Sequence, residues 1–263
     1  MTVPDTATFP LPYVDADLTG QVALVTGASS GLGWRFARVL ASAGATVIAA
    51  ARRVHRLESL AQEVESSGGR CRAVALDVTH AESIPGVLDD IEATEGQVTI
   101  LVNNAGVPDA QRAHKMPLSL IDTVLDTNVR APYVLACEVA RRLIATGAPG
   151  RIVNLSSAGS FHYGGGGAAL YSISKAAINR MTEVLAVEWA RNHINVNAIA
   201  PGAFASEMMD GMIERVGDFP AHTPRKRLGD PAQLDSTLLY LVAPASECVT
   251  GTVVRVDDGQ LPR

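Results

Sequence analysis

The sequence predicts a doubly wound α/β fold, in which a parallel sheet of about seven strands carries helices on both faces. Short apolar runs rich in Val, Ile and Ala alternate with stretches of helical length along most of the chain. Such runs are typical of parallel strands buried on both faces, and the helices between them indicate crossover connections. The chain has 263 residues, of which 47% are hydrophobic. It is therefore long enough to bury the core of one large domain.

The predicted elements follow one another in regular order. The strands are residues 22–26, 46–50, 72–76, 100–102, 152–155, 194–199 and 252–256, and the helices are residues 33–42, 55–66, 81–94, 118–144, 169–192 and 231–242. Residues 203–228 break the alternation, because they are Met-rich and interrupted by Gly and Pro. Since no repeat or linker is visible, we predict one domain over residues 18–263, with residues 203–228 covering the substrate. Residues 1–17 are predicted to form an extended arm.

The composition argues against several classes of function. The formal net charge is −5 and no long basic run is present, which disfavours a nucleic-acid surface. The histidines and the three cysteines, Cys71, Cys137 and Cys248, have no metal-ligand spacing, so no metal site is expected. Scattered cysteines, odd in number, suit reduced thiols and a cytoplasmic location. No apolar run approaches the ~20 residues that span a bilayer, and the acidic N-terminus does not resemble a signal peptide.

A glycine-rich turn follows the first predicted strand. It reads Thr-Gly-Ala-Ser-Ser-Gly-Leu-Gly over residues 26–33, with the spacing Gly-x-x-x-Gly-x-Gly. Glycines allow close approach of the backbone to a ligand, and the helix that follows offers free N–H groups and a positive dipole end. A pyrophosphate binds well at such a place. A purely structural turn is the alternative, but the position at the first strand–helix junction favours a dinucleotide.

The end of the second predicted strand indicates which dinucleotide is bound. An NAD site usually has an acid about 20 residues beyond the glycines, to bind the adenosine ribose. Here Ala51 lies near that position and Arg52 and Arg53 follow it. Because Arg pairs well with a 2′-phosphate, we expect NADP(H) to be preferred, with NAD(H) possible. Alternatively, both arginines are solvated loop charges. Asp77 is placed either to accept from the adenine amine or to cap the next helix.

Tyr171 and Lys175 form the pattern Tyr-x-x-x-Lys on a predicted helix. Residues four apart share a helix face, so the phenol and the ammonium project side by side. A free phenol titrates near ~10, and a nearby cation favours the phenolate. The pair is therefore a candidate acid–base catalyst, although an exposed aromatic–cation pair would show the same spacing.

Taken together, these motifs resemble the short-chain dehydrogenase/reductase family over roughly residues 18–261. The matching residues are the turn at 26–33, Asp77, the Asn-Asn-Ala-Gly run at 103–106, Asn128, Ser157, Tyr171, Lys175, Pro201 and Gly202. The resemblance implies a Rossmann-type fold. It also implies hydride transfer between a nicotinamide dinucleotide and a small-molecule ketone or secondary alcohol.

The resemblance implies a role for each candidate catalytic residue. Ser157 would orient the substrate oxygen, and Tyr171 would donate or accept its proton. Lys175 would lower the pKa of the phenol and hold the nicotinamide ribose. Asn128 would interrupt its long helix and hold a water that links Lys175 to solvent. Ser156 is the alternative hydroxyl, but strand alternation directs it to the opposite face from Ser157.

The resemblance also implies a set of cofactor-binding residues. They are Gly27, Ser29, Ser30, Gly31, Leu32, Gly33, Arg52, Arg53, Asp77, Val78, Asn104, Ala105, Gly106, Tyr171, Lys175, Pro201, Gly202 and Ser206. Ser206 lies where the family commonly has Thr, which touches the carboxamide. The family has glycine at the position of Asp258, so we expect a turn there, because Asp tolerates unusual φ better than most residues.

Substrate contacts are the least constrained part of the sequence. His162 and Tyr163, next to four consecutive glycines, would line the mouth of the site or merely cover the surface. Met208 and neighbouring methionines would adapt to an apolar or cyclic substrate, or else form the core face of a helix. Sugar and acyl substrates remain open.

Two other functions and one assembly are compatible with the same motifs. An enoyl reductase or lyase could use the same scaffold, and a non-catalytic dinucleotide-binding regulator would usually lack Tyr171 or Lys175. The family mostly forms tetramers or dimers through its two long helices, so we expect a homo-oligomer here.

Overall fold

The computed structural model describes residues 13–163, 165 and 167–260, which form a seven-stranded sheet with helices on both faces. The strands are β1 (Val22–Thr26), β2 (Thr46–Ala51), β3 (Arg70–Ala75), β4 (Ile100–Asn103), β5 (Gly150–Leu155), β6 (Ile194–Pro201) and β7 (Val253–Val256). The helices are α1 (Gly31–Ser42), α2 (Val54–Ser66), α3 (Ile84–Glu95), α4 (Leu118–Leu125), α5 (Ala131–Thr146), α6 (Ala169–Trp189), α7 (Glu207–Val216) and α8 (Asp235–Val242). The predicted strands are confirmed to within two residues at each end.

The strand order is β3-β2-β1-β4-β5-β6-β7, and all neighbouring strands are parallel. The chain moves outward from β1 to β3, then returns to the other side of β1 to place β4. Two crossovers therefore diverge beside the carboxyl ends of β1 and β4, and the crevice between them is where doubly wound sheets bind ligands. The glycine turn and the Asn-Asn-Ala-Gly run follow these two strands directly.

Two apolar cores lie on opposite faces of the sheet. One contains side chains of α1, α2 and α8, such as Phe36, Leu57 and Leu238. The other contains side chains of α3, α5 and α6, such as Ile91 and Leu185. Strands buried on both sides explain why the predicted strands are apolar runs without alternation.

The long helix predicted over residues 118–144 is interrupted. Helices α4 and α5 are joined by a π-helical turn, Asp126–Arg130, whose buried residues are Thr127 and Asn128. π turns of this kind concentrate at functional sites because the wider turn redirects side chains and carbonyls. The interruption at Asn128 agrees with the expectation from sequence.

The segment between β6 and α8 extends away from the sheet, and its two ends lie next to each other. Its base is closed by a bridge between Phe204 and Gly229, where Ala205 N–H donates to Gly229 O at 2.9 Å and Gly229 N–H donates to Ala203 O at 2.8 Å. Helix α7 lies within this excursion, and none of its described side chains is buried. Met208 is 39% exposed. The methionines are therefore not the core face of a helix.

The first 12 residues of the predicted arm lie outside the described residues, and residues 13–17 are exposed ahead of the buried Leu18. No described helix combines the length and apolar character needed to cross a membrane. Within residues 13–163, 165 and 167–260, no three metal-ligating side chains cluster.

Candidate active site

The glycine turn is fastened to the loop after β4. The Asn104 amide donates to the carbonyls of Thr26 at 3.0 Å and Gly27 at 3.2 Å, and the Thr26 hydroxyl accepts from the backbone N–H groups of Asn104 and Ala105. Gly27 has φ +67°, and a Cβ there would lie 2.8 Å from Ala105 Cα. Only glycine allows the two chain segments to approach so closely. At Gly27 the surface of the crevice is therefore formed by backbone atoms.

The N-terminus of α1 presents uncapped N–H groups at this turn. Its N-cap residue, Ser30, makes no side-chain cap hydrogen bond. A Cβ on Gly33 would collide with Asn104 Nδ2 and Gly27 O. Close packing of turn, helix end and β4 loop leaves the helix dipole directed at the crevice. These features fit the pyrophosphate of a dinucleotide.

Arg53, rather than Arg52, contacts the glycine turn. Its guanidinium donates to Ser29 Oγ at 3.1 Å and Ser30 Oγ at 2.8 Å, and it pairs with Glu207 at 3.0 Å. Arg56 lies 3.6 Å from the same carboxylate. The hydrogen bond from Arg53 lowers the pKa of Glu207. Arg56 and Glu207 were not anticipated from sequence.

Arg52 lies on the exposed side of this cluster, near Asp77. Burial opposes ionisation of Asp77, but hydrogen bonds from Thr79 and the charge of Arg52 bring its pKa below the ordinary value. The carboxylate accepts from Thr79 N–H at 3.0 Å and Thr79 Oγ1 at 2.8 Å. The turn at Ala81–Ser83 begins from His80 without a side-chain cap, so Asp77 does not cap it. Val78, the next residue, is buried.

Tyr171 and Lys175 lie side by side on α6, as the spacing predicts. Lys175 Nζ is 5.7 Å from the centroid of the Tyr171 ring. The ammonium is buried and donates to the Leu155 carbonyl at 2.7 Å. The phenol hydrogen-bonds with the Ser157 side chain, whose Oγ also accepts from Gly159 N–H at 3.1 Å. Strand β5 and helix α6 therefore bring two hydroxyls and one cation together.

Ser156 faces the opposite direction from Ser157, as strand alternation predicts. Its hydroxyl lies within hydrogen-bond distance of two acceptors, the Lys175 carbonyl at 3.1 Å and the Asn179 side-chain oxygen. Both partners belong to α6, and Ser156 is only 4% exposed. Ser156 therefore fastens β5 to α6, and Ser157 is the hydroxyl that reaches Tyr171.

The pKa of Tyr171 differs in direction from the expectation. Burial of the phenol raises its pKa, the hydrogen bond from Ser157 opposes this, and the charge of Asp109 raises it further. The net shift of the phenol pKa is therefore upward, opposite to the lowering expected from Lys175, because burial outweighs the contacts that favour the phenolate. Burial lowers the pKa of Lys175 to about 8. Sequence spacing carries no information about burial, which explains the error.

Asn128 is used mainly to hold other parts of the site. Its Oδ1 accepts from Val107 N–H at 2.9 Å, and its Nδ2 donates to Val107 O at 2.9 Å and Ser174 Oγ at 3.1 Å. The Ser174 hydroxyl donates to Tyr171 O at 2.7 Å. A Cβ on Gly106 would lie 3.4 Å from Asn128 Oδ1. The role of Asn128 in holding a water stays a prediction.

The end of β6 places the remaining cofactor candidates across the crevice. Gly202 N–H donates to Val256 O at 2.9 Å, which continues the pairing that ends at Pro201. Ser206 caps α7 by accepting from Met209 N–H at 3.2 Å. A Cβ on Gly31 would lie 3.4 Å from Ser206 Cβ, so the two segments face each other. Contact of Ser206 with a carboxamide stays a prediction.

The substrate candidates His162 and Tyr163 are exposed. They lie in the loop between Ser157 and Tyr171, whose Gly164 and Gly166 are outside the described residues. Phe161 next to them packs against Arg255, at 5.4 Å from the guanidinium carbon to the ring centroid. Their contact with substrate, like that of Met208, stays a prediction.

Asp258 adopts φ +53°, the left-handed turn that a glycine would favour, as expected from sequence. Its carboxylate pairs with Arg225 at 3.1 Å and Arg227 at 2.8 Å. The C-terminal turn therefore holds the end of the 203–228 segment by charge.

One carboxylate at the start of α6 was missed altogether. Asp109 is buried, and its Oδ2 accepts from the backbone N–H of Tyr171 at 3.0 Å. An acid in the loop after β4 has no local pattern that would distinguish it from a solvated residue. Its partner is 62 positions away, so only the fold reveals the contact.

Comparison with known proteins agrees with this geometry. The family model described as short chain dehydrogenase matches residues 21–216. A 2-dehydro-3-deoxy-D-gluconate 5-dehydrogenase of Escherichia coli K12 is 34% identical over 249 residues, covering 94% of this chain and 97% of that protein.

Two solved structures show the same fold. A short-chain type dehydrogenase/reductase from Mycobacterium marinum has a TM-score of 0.90 at 33% identity, covering 94% of this chain and 98% of that one. A gluconate 5-dehydrogenase from Burkholderia cenocepacia, solved with NADP and tartrate, has a TM-score of 0.87 at 30% identity, covering 94% and 97%. Together with the strand order and the glycine turn, these similarities show that the chain belongs to the short-chain dehydrogenase/reductase family of NAD(P)-dependent oxidoreductases, which act on secondary alcohols and ketones.

Proposed function

We propose that this protein is an NADP(H)-preferring dehydrogenase that interconverts a secondary alcohol and a ketone, with Tyr171 as the general acid and base. One observation carries the proposal. The phenol of Tyr171 hydrogen-bonds with Ser157 while the buried ammonium of Lys175 lies 5.7 Å from its ring. A hydroxyl pair beside a cation is suited to stabilise negative charge on a substrate oxygen and to move its proton.

In ketone reduction, Ser157 and Tyr171 both donate hydrogen bonds to the carbonyl oxygen as negative charge grows on it. Tyr171 then supplies the proton, and in alcohol oxidation its phenolate removes one. When bound along the crevice, the nicotinamide dinucleotide supplies or accepts the hydride. A positioned acid–base group of this kind contributes ~10²–10⁴-fold to the rate.

Lys175 has two roles in the proposed mechanism. Its pKa of about 8 leaves most of the ammonium charged at neutral pH, so it can bind ribose hydroxyls. Its charge also favours the phenolate relative to a neutral residue at this position. Asn128 supports the arrangement indirectly, through Val107 and through Ser174, which bonds the Tyr171 carbonyl.

The preference for NADP(H) rests on the arginines at the end of β2. Arg53 is already directed at Ser29 and Ser30 of the glycine turn, and Arg56 donates to the Ser29 carbonyl at 3.4 Å. Arg52 directly precedes Arg53 in the sequence. Ala51 leaves no acid at the end of β2 to repel a 2′-phosphate, and Glu207, which pairs with Arg53 and Arg56, is the carboxylate that a phosphate would displace. Guanidinium groups with neighbouring hydroxyls match the geometry of a phosphate.

The central test is Tyr171→Phe, with Ser157→Ala as its companion. We expect Tyr171→Phe to abolish turnover while the dissociation constant for NADPH stays within about twofold. Turnover is followed by absorbance of the reduced cofactor, and cofactor binding by fluorescence titration. Near-normal turnover by the phenylalanine variant would refute the assignment.

For the substrate, we propose a ketone or secondary alcohol that contacts the partly exposed methionines of α7. Flexible thioethers favour an apolar or cyclic molecule. The relative from E. coli is named for a sugar acid, which makes polyols and hydroxy acids the competing class. A matched panel of cyclic ketones, hydroxy acids and enones separates these classes and also tests enone reduction. Turnover of enones alone would contradict the proposed reaction.

We further propose that the protein is a homo-oligomer that uses α5 and α6. These helices expose the large apolar side chains of Tyr133 (49%), Ile173 (62%), Val184 (41%) and Val187 (80%). Exposed apolar side chains concentrated on two helices are typical of an interface between subunits. Light scattering should show a dimer or tetramer, and Val187→Glu should shift it towards monomer. A monomeric wild-type protein would contradict this proposal.

A further inference from the structure

Helix α6 carries the reactive side chains, yet it begins without a cap of its own. Its N-cap residue, Ala168, has no side chain able to accept a hydrogen bond, and no acidic residue lies in its first turn. The first N–H groups of any α-helix lack partners within the helix. An uncapped first turn frays easily, and Tyr171 is the third residue of this helix.

Asp109 supplies the missing acceptor from a distant loop. Its Oδ2 accepts the Tyr171 N–H at 3.0 Å, and the side chain is only 2% exposed. Its Oδ1 is also buried and has no hydrogen-bond partner among the described residues. A buried carboxylate with one oxygen unpaired is costly, so its place needs a compensating interaction. The positive end of the 21-residue helix α6 provides one.

The loop around Asp109 is held firmly in this position. Ala110 has φ +52°, a left-handed conformation that is unfavourable for a residue with a Cβ. Gln111 forms a parallel bridge with Ala168, immediately before α6. Two residues before Asp109, Val107 is bonded by Asn128 through both its N–H and its C=O. Backbone strain that the surroundings maintain in this way is a mark of functional positions.

We propose that Asp109 is a positioning residue for Tyr171: its carboxylate caps α6 from outside the helix and places a fixed negative charge beside the reactive phenol. The inference rests on the proposed role of Tyr171. Among the described residues, the charged groups that act on the phenol are Lys175 on its own helix and Asp109 on the loop after β4, and Ser157, just after β5, adds a neutral hydroxyl. Lys175 favours the phenolate and Asp109 favours the phenol. The two charges together set the pKa of the phenol, and with it the pH ranges over which reduction and oxidation are fastest.

The test compares Asp109→Asn with Asp109→Ala. Asparagine keeps an oxygen that can accept the Tyr171 N–H but removes the charge, whereas alanine removes both. The rate of ketone reduction falls with rising pH as the phenol ionises, and we expect this limb of the pH profile to move to lower pH in Asp109→Asn. The limb of alcohol oxidation, where activity rises with the phenolate, should move the same way. A cap that acts only on structure would be kept in Asp109→Asn, which would then leave both limbs in place, and only Asp109→Ala would lower kcat.

For Asp109→Ala we expect kcat to fall roughly 100-fold, since a displacement of about 1 Å can cost this much, with NADPH affinity within about twofold of wild type. Glu65→Gln is the matched control, because it removes one negative charge from the exposed last turn of α2, and it should keep kcat and both limbs unchanged. If the alanine variant fails to fold, Asp109→Asn alone decides.

A second readout separates this inference from the proposed function. The ultraviolet absorbance difference between each protein and the same protein with Tyr171→Phe follows titration of this phenol without any turnover. The midpoint should lie at lower pH in Asp109→Asn than in the wild type, whether or not Tyr171 is the catalyst. An unmoved midpoint in Asp109→Asn, or a kcat within about threefold of wild type in folded Asp109→Ala, would overturn the inference.

Discussion

Replacement of Arg53 by glutamine should weaken binding of NADPH without affecting NADH. In the structure the Arg53 guanidinium makes two hydrogen bonds to the serines of the glycine turn, at 3.1 Å and 2.8 Å, and one ion pair with Glu207. The side chain is 45% exposed, so a charge-assisted contact with phosphate falls at the lower end of the usual range, about 1.5 kcal/mol. This corresponds to roughly a tenfold increase in the dissociation constant.

Glu207 provides the complementary perturbation. Its carboxylate pairs with Arg53 at 3.0 Å and Arg56 at 3.6 Å, and a bound phosphate would compete with it for both guanidiniums. Exposed ion pairs contribute ~0.2–1 kcal/mol each. Glu207→Gln should therefore tighten NADPH binding by roughly twofold to thirtyfold and leave NADH unchanged.

Both variants are assayed by fluorescence titration of NADPH and NADH at constant ionic strength, because exposed charges are screened by salt. Arg180→Gln is the matched control, since Arg180 forms an exposed ion pair on α6 with Glu183. Equal weakening of both cofactors by Arg53→Gln would show that the arginine supports the glycine turn rather than a phosphate. No change in either would refute the argument for NADP(H) preference at this residue.

Three further outcomes follow from the same geometry. The pKa of Lys175 is about 8 in the folded protein and ~10.5 in the unfolded protein, so the unfolded state binds more protons between these pH values. The free energy of unfolding, measured by urea titration, should therefore rise by about 3 kcal/mol from pH 8 to pH 10.5 in the wild type, and Lys175→Met should lack that rise. Gly27→Ala forces a Cβ to within 2.8 Å of Ala105 at positive φ, and calorimetry should show a Tm lower by at least about 3 °C, with weaker dinucleotide binding; an unchanged Tm would contradict it. Asp258→Ala and Asp258→Gly both lose the ion pairs, but only the alanine variant keeps the left-handed strain. Urea titration should therefore find the alanine variant less stable than the glycine variant by about 1 kcal/mol, and equal stabilities would show that the strain is negligible.

The parts of the fold that could be predicted depend on local pattern. Strands buried on both faces appear as unbroken apolar runs, and a glycine turn at a strand end appears as three closely spaced glycines. The pairing of Tyr171 with Lys175 follows from helical spacing alone. Strand alternation places Ser156 and Ser157 on opposite sides, and the resemblance to the family selects Ser157 between them. Each of these signals spans only a few residues.

The parts that could not be predicted depend on contacts between distant segments or on burial. Glu207 meets Arg53 across 154 positions, and Asp109 meets Tyr171 across 62. Neither acid belongs to a local pattern. The direction of the Tyr171 pKa was wrong because the spacing of Tyr and Lys shows proximity but not the extent to which the phenol is removed from water.

The pairing of Phe204 with Gly229 bears on how a protein of this kind changes its substrate. Because the two ends of the intervening segment are hydrogen-bonded to each other, its length and content can vary without moving β6 or α8. The segment is therefore joined to the rest of the domain at two hydrogen-bonded positions, between which its sequence can be exchanged. Because we propose that α7 within this segment contacts the substrate, we expect that grafting the corresponding stretch of a relative between these residues would change substrate selectivity while Ser157, Tyr171 and Lys175 stay in place.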